Sequence, residues 1–218
     1  MSEADLKALY PFLDSSAPEA SGLEAALLHS VLDKARESRD TSERFFAREG
    51  AALIAAARCI AETYQRGGRL LTMGNGGSSC DASHIAVEFQ HPVTAGRPAL
   101  TAINLTADVA MMSAVGNDLG FEHVFVRQVV AHGRRGDALL GVSTSGNSAN
   151  LLAAFAKARE LGIATVGLAG GDGGRMRASG LLDHCLVVPS DSIHRVQEVH
   201  VAAYHILWDL VHAVLGAR

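Results

Sequence analysis

Two pairs of residues in this sequence have the types and spacing for metal or proton chemistry. His84 and Glu88 are four apart, and in a helix that spacing puts an imidazole and a carboxylate on one face. Gln197 and His205 are eight apart. Eight helical residues turn about 80° past two full turns and climb about 12 Å. That rise is near the limit of what two side chains of one helix can bridge to one ion. The arithmetic leaves a stretched arrangement or a site shared between subunits, and it favours sharing. Imidazole with carboxylate suits zinc, and an amide oxygen can complete the shell. Glu88 and His205 are also an apt base and acid for moving a proton between neighbouring carbons of a sugar. The plainer alternatives stay open: His84 and Glu88 as a simple helical pair, and Gln197 with Glu198 as an exposed helix face. Of the ten histidines, His29, His123, His132, His184 and His212 read as ordinary surface or core residues.

Two further segments have the composition of phosphate-binding loops. Gly74-Asn75-Gly76-Gly77-Ser78-Ser79 follows the apolar run LLTM, and Ser143-Thr144-Ser145-Gly146-Asn147-Ser148 follows LLGV. Each sits where a strand hands over to a helix, and helix starts offer free N–H groups and a partial positive charge. Glycine lets backbone approach a phosphate, and the hydroxyls add donors. Tight turns alone would use the same residues, but two such loops in corresponding positions favour a ligand. Neither carries the GxxxxGK[ST] lysine nor the GxGxxG spacing, which argues against nucleoside triphosphates and dinucleotides and for a phosphate monoester.

The elements that must position these residues alternate. Buried strands are expected at 69–73, 100–105, 138–142, 164–168 and 184–188, with helices near 79–90, 107–115, 120–132, 148–161 and 174–180 and a last one over about 194–216. This rhythm predicts an α/β fold, a parallel sheet covered by helices on both faces. Upstream, the pattern is helical from Leu23 to about Arg66, with Thr41 as the start of a second helix and Gly67-Gly68 as its end. Residues 1–21, with Pro11 and Pro18, read as a poorly specified lead-in.

Composition narrows the class further. Across 218 residues, 48% are hydrophobic and 19% charged, with a net charge of −4 and no Lys/Arg cluster. That balance argues against a nucleic-acid groove or a membrane-surface patch. Cys59, Cys80 and Cys185 have no paired CxxC spacing, so no disulfide framework is expected and a reducing compartment is the simpler setting. The amino terminus lacks the basic start and apolar stretch of a signal peptide, and no apolar run approaches the roughly 20 residues that span a bilayer. A soluble, cytoplasmic protein is expected.

The segments GNGGSSCDASHIAVEF, VGNDLGF, GVSTSGNSANLL and RVQEVHVAAYHILWDLV together resemble the SIS (sugar isomerase) domain family, and within it the phosphoheptose isomerases. The resemblance runs from about residue 45 to 216 and implies an SIS domain over 41–218 behind a helical lead-in over 1–40. It implies a five-stranded parallel sheet flanked by helices, with flavodoxin-like or Rossmann-like layering, and a homotetramer with active sites between subunits. It implies interconversion of sedoheptulose 7-phosphate and D-glycero-D-manno-heptose 7-phosphate through an enediol, assisted by zinc. By the same resemblance, Asn75, Gly76, Gly77, Ser78, Asn117 and Asp118 contact substrate, and Ser143, Thr144, Ser145 and Ser148 hold the phosphate. His84, Glu88, Gln197 and His205 fall on the family's zinc ligands, Glu88 and Gln197 also facing substrate, with Glu88 and His205 as the acid/base pair. Two stretches depart from the family pattern. Phe89-Gln90-His91-Pro92-Val93 replaces a Thr-Gly-Arg-aromatic run, removing a basic residue, and Ile193-His194 replaces a Thr and a small residue. Competing readings are a non-catalytic SIS binding module of the replication-initiator-associating type, and an isomerase or sensor for another sugar phosphate. Retention of His84, Glu88 and His205 favours an enzyme.

Overall fold

The computed structural model describes residues 20–216. The lead-in expected over 1–21 falls outside them up to residue 19, and helix α1 (Ala20–Gln65) begins at its end. Contacts group the chain into two units, Met1–Arg39 and Asp40–Arg218. In the first, Leu27, Leu28 and Val31 are exposed, and Asp33 pairs with His29 and Arg36. Thr41 does not open a second helix. No glycine or proline interrupts residues 23–49, and the Thr41 hydroxyl accepts a bond from Arg44 Nη2 at 3.0 Å instead of capping. The two-glycine stop is as expected: the Gly67 and Gly68 N–H groups return to the Tyr64 and Thr63 carbonyls at 3.0 and 2.9 Å.

The second unit is built on five strands, β1 (Leu70–Gly74), β2 (Ala102–Asn104), β3 (Ala138–Ser143), β4 (Ala164–Gly170) and β5 (His184–Val188). All pairs are parallel, in the order β2-β1-β3-β4-β5. The expected α/β class with a five-stranded parallel sheet is therefore observed. β2 is shorter than its apolar run because the Leu100 N–H is taken by the Phe89 carbonyl (2.8 Å) at the end of the preceding helix.

The helices are α2 (Gly77–Gln90), α3 (Val109–Asp118), α4 (Val124–His132), α5 (Ala149–Leu161), α6 (Gly174–Ala178) and α7 (Ile193–Gly216). The single helix expected over 120–132 is split, its first residues Phe121–His123 forming a tighter 3-10 turn after Gly120. α3 starts two residues later than expected because Asp108 caps it, its Oδ1 accepting from the Met111 N–H at 2.9 Å.

Alternate strand residues feed two cores. Leu70 and Leu140 join Phe45, Ile60, Ile85, Phe89, Leu207 and Trp208, so the later part of α1 together with α2 and α7 covers one face. Leu71 and Leu139 join Val115, Phe125, Val129, Leu151 and Phe155 from α3, α4 and α5 on the other. Each such buried side chain contributes roughly 1.5–3 kcal/mol. By length and composition alone, α7 is apolar enough to cross a membrane, which a search for unbroken apolar runs passes over. Val199, Ala203, Leu207 and Val211 are nevertheless spent in the first core.

Candidate active site

Because every strand is parallel, the two Ser/Gly loops leave the same edge of the sheet, at the carboxyl ends of the neighbours β1 and β3. Asn75 and Asn150 tie them together, each side-chain amide donating to the other's oxygen at 2.9 Å. Asn150, at the start of α5, was not among the residues singled out from the sequence. Its pairing leaves Asn75 one side-chain amide N–H for any ligand, the Asn75 carbonyl being taken by the Ser78 N–H at 3.0 Å.

Both helices that follow these loops begin without a side-chain cap, at Gly76 and at Ser148. Ser148 turns its hydroxyl to Ser143 Oγ, 3.0 Å away, so the pair forms a small hydroxyl cluster beneath the turn. The Ser78 and Ser79 N–H groups return to the Asn75 and Gly76 carbonyls and the Leu151 N–H goes to Asn150 Oδ1, so what both helix starts offer an anion is chiefly their positive end. Gly146, at φ +65°, makes this turn, and a Cβ there would sit 2.1 Å from the Gly173 carbonyl oxygen. A cleft of about 430 Å³ opens beside the turn, lined by Thr144, Ser145, Gly171, Asp172, Asp191 and Ile193. Ile193, one of the two family departures, thus faces this cleft.

α2 and α7 pack as parallel neighbours with a constant offset. His84 Nδ1 lies 2.8 Å from the Tyr204 hydroxyl, and Trp208 Nε1 donates to the Glu88 carbonyl at 2.9 Å, both pairs separated by 120 positions. Gln197 sits at the same offset against Gly77, where an added Cβ would lie 2.3 Å from its Nε2. The adjacent Val196 packs on Gly170, which also meets the Thr144 carbonyl oxygen. The first turn of α7 is therefore wedged between the two loops.

This register brings His84, Glu88 and His205 together. One donor atom from each lies within 4.8 Å of the others. His84 Nε2 is 3.1 Å from Glu88 Oε1, and the two imidazole centroids are 5.1 Å apart. A tetrahedral zinc ion with bonds near 2 Å wants donors roughly 3.4 Å apart, so these residues fit such an ion after small adjustments. His205 Nδ1 is 2.8 Å from the Val201 carbonyl, which can only accept, so Nδ1 carries the proton and Nε2 keeps its lone pair. For Glu88 and His205 the expectation of sharing between copies is not needed, since one chain supplies both. Gln197, at the Gly77 end of α2, is about 12 Å along the helix from His205.

The surroundings are partly dry. Tyr204 is 3% exposed, and burial, helped by Asp81 and Glu88, pushes its phenol up to about 12. Asp81, one turn before His84, is buried with no partner for Oδ2, and desolvation raises its carboxyl to about 6 against the pull of His84. Neither Tyr204, Asp81 nor Trp208 stood out in the sequence; only the pairing of α2 with α7 reveals them. Asn117 and Asp118, expected at the substrate, lie exposed at the end of α3, Asn117 Nδ2 donating to Asp118 Oδ1 at 2.8 Å. Ser78 is buried in the first turn of α2, and Ser145 Oγ accepts from the Asn147 N–H at 3.2 Å. In the stretch that replaces the family's basic run, Phe89 is core and Gln90 donates back to the Ala86 carbonyl.

A larger cleft, about 590 Å³, lies at the opposite edge of the sheet among Arg66, Arg69, Arg134, Arg135 and Asp137. It has a structural explanation. Arg69 and Arg134 bond the terminal carbonyls of α4, and buried Asp137 holds the Arg69 side chain and the Arg69 and Arg134 N–H groups. These cations offset the negative ends of α1, α4 and α5.

Comparison with known proteins points to one group. The family described as SIS domain matches residues 35–170. A phosphoheptose isomerase of Roseiflexus sp. (strain RS-1) is 44% identical over 188 residues, covering 85% of this chain and 93% of the relative. One from Pelodictyon phaeoclathratiforme is 47% identical over 189 residues, covering 85% and 89%. Among solved structures, a phosphoheptose isomerase from Neisseria gonorrhoeae superposes with a TM-score of 0.80 at 36% identity, covering 86% of this chain and 99% of that one. One from Francisella tularensis gives 0.81 at 34% identity, covering 85% and 98%.

Proposed function

Since the chain belongs to the phosphoheptose isomerase family of SIS-domain enzymes, we propose that it interconverts sedoheptulose 7-phosphate and D-glycero-D-manno-heptose 7-phosphate through an enediol. The observation that carries this reading is the meeting of His84 and Glu88, on the helix that follows a Ser/Gly loop, with His205 of α7. A non-catalytic binding module has no use for such a set.

In this reading the phosphate binds the Ser143, Thr144, Ser145 and Ser148 turn and the uncapped start of α5. Asn75, Gly76, Gly77, Ser78 and Gln197 hold the sugar. His205 Nε2, left with a lone pair by the Val201 bond to Nδ1, exchanges a proton with the sugar oxygens and opens the ring when it is not bound to metal. Glu88 removes a proton from C1 of the open ketose while O2 gains one, giving the enediol. Return of a proton to C2, with loss of one from O1, gives the aldose. His84, Glu88 and His205 would hold a zinc ion, which Gln197, about 12 Å along α7 from His205, could reach only from a neighbouring copy, and the ion would supply Lewis-acid polarisation of the carbonyl and hydroxyl oxygens.

A homotetramer with sites between subunits is part of the proposal. Exposed Val109 and Phe121 flank an apolar cleft near Asn117 and Asp118, which supports a partner copy there. On this reading Asn117 and Asp118 contact the sugar bound to a neighbouring copy. Three free cysteines agree with a cytoplasmic setting.

The test is to incubate the zinc-loaded protein with sedoheptulose 7-phosphate and follow the aldose by NMR. Formation of the heptose 7-phosphate supports the reading. Binding without conversion would turn it into the regulatory module.

A further inference from the structure

His84 and His205 are held at Nδ1 by different kinds of group, and the difference has a chemical consequence. The Val201 carbonyl can only accept, so His205 is fixed as the Nδ1–H tautomer. The Tyr204 hydroxyl beside His84 can accept or donate. On its other side, His84 Nε2 is 3.1 Å from Glu88 Oε1, an acceptor when ionised. Without a metal, the neutral ring satisfies both neighbours only with the proton on Nε2, given to Glu88, while Nδ1 accepts from the Tyr204 O–H.

We propose that Tyr204 is a positioning residue for His84, whose hydroxyl turns from donor to acceptor and so lets His84 exchange tautomer when a metal ion takes Nε2. The inference rests on the reading that His84, Glu88 and His205 hold a metal. A ligating Nε2 must present a lone pair, so the ring proton has to sit on Nδ1, where it is now donated to the Tyr204 oxygen. The ring keeps one proton throughout, and its Nδ1 bond survives in both states. A carbonyl or carboxylate at that place would favour the ligating tautomer alone, and the Nε2–Glu88 bond would be lost in the metal-free protein.

The position of the hydroxyl is well determined. The Tyr204 ring is 3% exposed and packs in the core with Val199, Ala203 and Leu207. Its ring meets the His84 ring edge-on at 5.4 Å and the His205 ring at 4.7 Å, so it packs against both imidazoles, which themselves meet at 5.1 Å. Removing the hydroxyl leaves His84 Nδ1 without a partner in either state, and losing such an outer partner lowers metal affinity about 10- to 100-fold.

The experiment uses full-length protein stripped with chelator. Zinc affinity is measured by competition for wild type, Tyr204→Phe and His84→Ala, and the tautomer of His84 is read from 15N–1H correlation spectra well above the ordinary histidine pKa. The expected result is a 10- to 100-fold weaker zinc affinity in Tyr204→Phe with its circular dichroism unchanged. In wild type, His84 should carry its proton on Nε2 before zinc and on Nδ1 after it. Equal affinity in wild type and Tyr204→Phe, or an Nδ1 proton in both states, overturns the inference and leaves the metal site standing. Wild-type affinity no better than that of His84→Ala overturns the metal reading, and the inference with it.

Discussion

Asn75 and Asn150 exchange two side-chain hydrogen bonds of 2.9 Å, and this reciprocal pair fixes the spacing of two loops that are far apart in the sequence. Asn150 is 3% exposed and Asn75 half-buried, and Asn150 Oδ1 also accepts from the Leu151 N–H at 3.0 Å. Asn150→Ala should cost about 0.5–1.5 kcal/mol of stability per lost bond. It should also raise KM for the phosphosugar. Denaturant midpoints and a steady-state assay check both, and the Asn75→Ala/Asn150→Ala double variant should be less destabilised than the sum of the singles.

Gly77 carries the next expectation. A methyl there would lie 2.3 Å from Gln197 Nε2, the end of a flexible side chain that can swing aside. Gly77→Ala should therefore fold normally yet move Gln197, and misplacement by about 1 Å can cost about 100-fold in rate. Turnover compared with thermal midpoint separates the two effects.

Much of the fold was legible because the sheet is buried on both faces. Its strands read as short apolar runs, and those at 138–142, 164–168 and 184–188 lie within the observed β3, β4 and β5. Ends set by tertiary bonds were less legible, as with β2, whose Leu100 N–H serves the Phe89 carbonyl. At the candidate site, His84 and Glu88 could be paired by helical spacing, but their meeting with His205 depends on the parallel packing of α2 on α7. Spacing along α7 pointed to sharing between copies because Gln197 and His205 stand about 12 Å apart, and the structure keeps that separation while bringing His205 to His84 and Glu88. Tyr204 and Asn150 carry no local pattern at all, since each matters only through a partner in another element.

That convergence within one chain gives an assembly test. Mixing a Glu88→Gln variant with a His205→Ala variant, after dissociation and reassembly, should restore no activity. Every site would still lack one member of the pair, because both members come from the same copy. Recovery of activity in the mixture would show instead that the working pair spans two chains.

Acid stability should be set in part by His200. The ring is fully buried against the Ala169 carbonyl, its Nδ1 has no partner, and burial pulls its pKa down to about 4. The folded pKa is below the ordinary histidine value of about 6.5. Between about 6.5 and 4, therefore, the unfolded chain binds more protons, and stability falls as the pH falls through that window. The loss should be on the order of 3 kcal/mol. Thermal midpoints across this range should decline in wild type and decline less in His200→Gln.

Proton transfer by Glu88 between C1 and C2 is tested most directly by isotope. Zinc-loaded protein is incubated with sedoheptulose 7-phosphate in deuterated water, and the heptose 7-phosphate formed is examined by NMR and mass spectrometry. The account predicts deuterium at C2 of the product, with the rate in Glu88→Gln reduced about 100- to 10,000-fold. Wild-type turnover and exchange in the Glu88→Gln variant would contradict it.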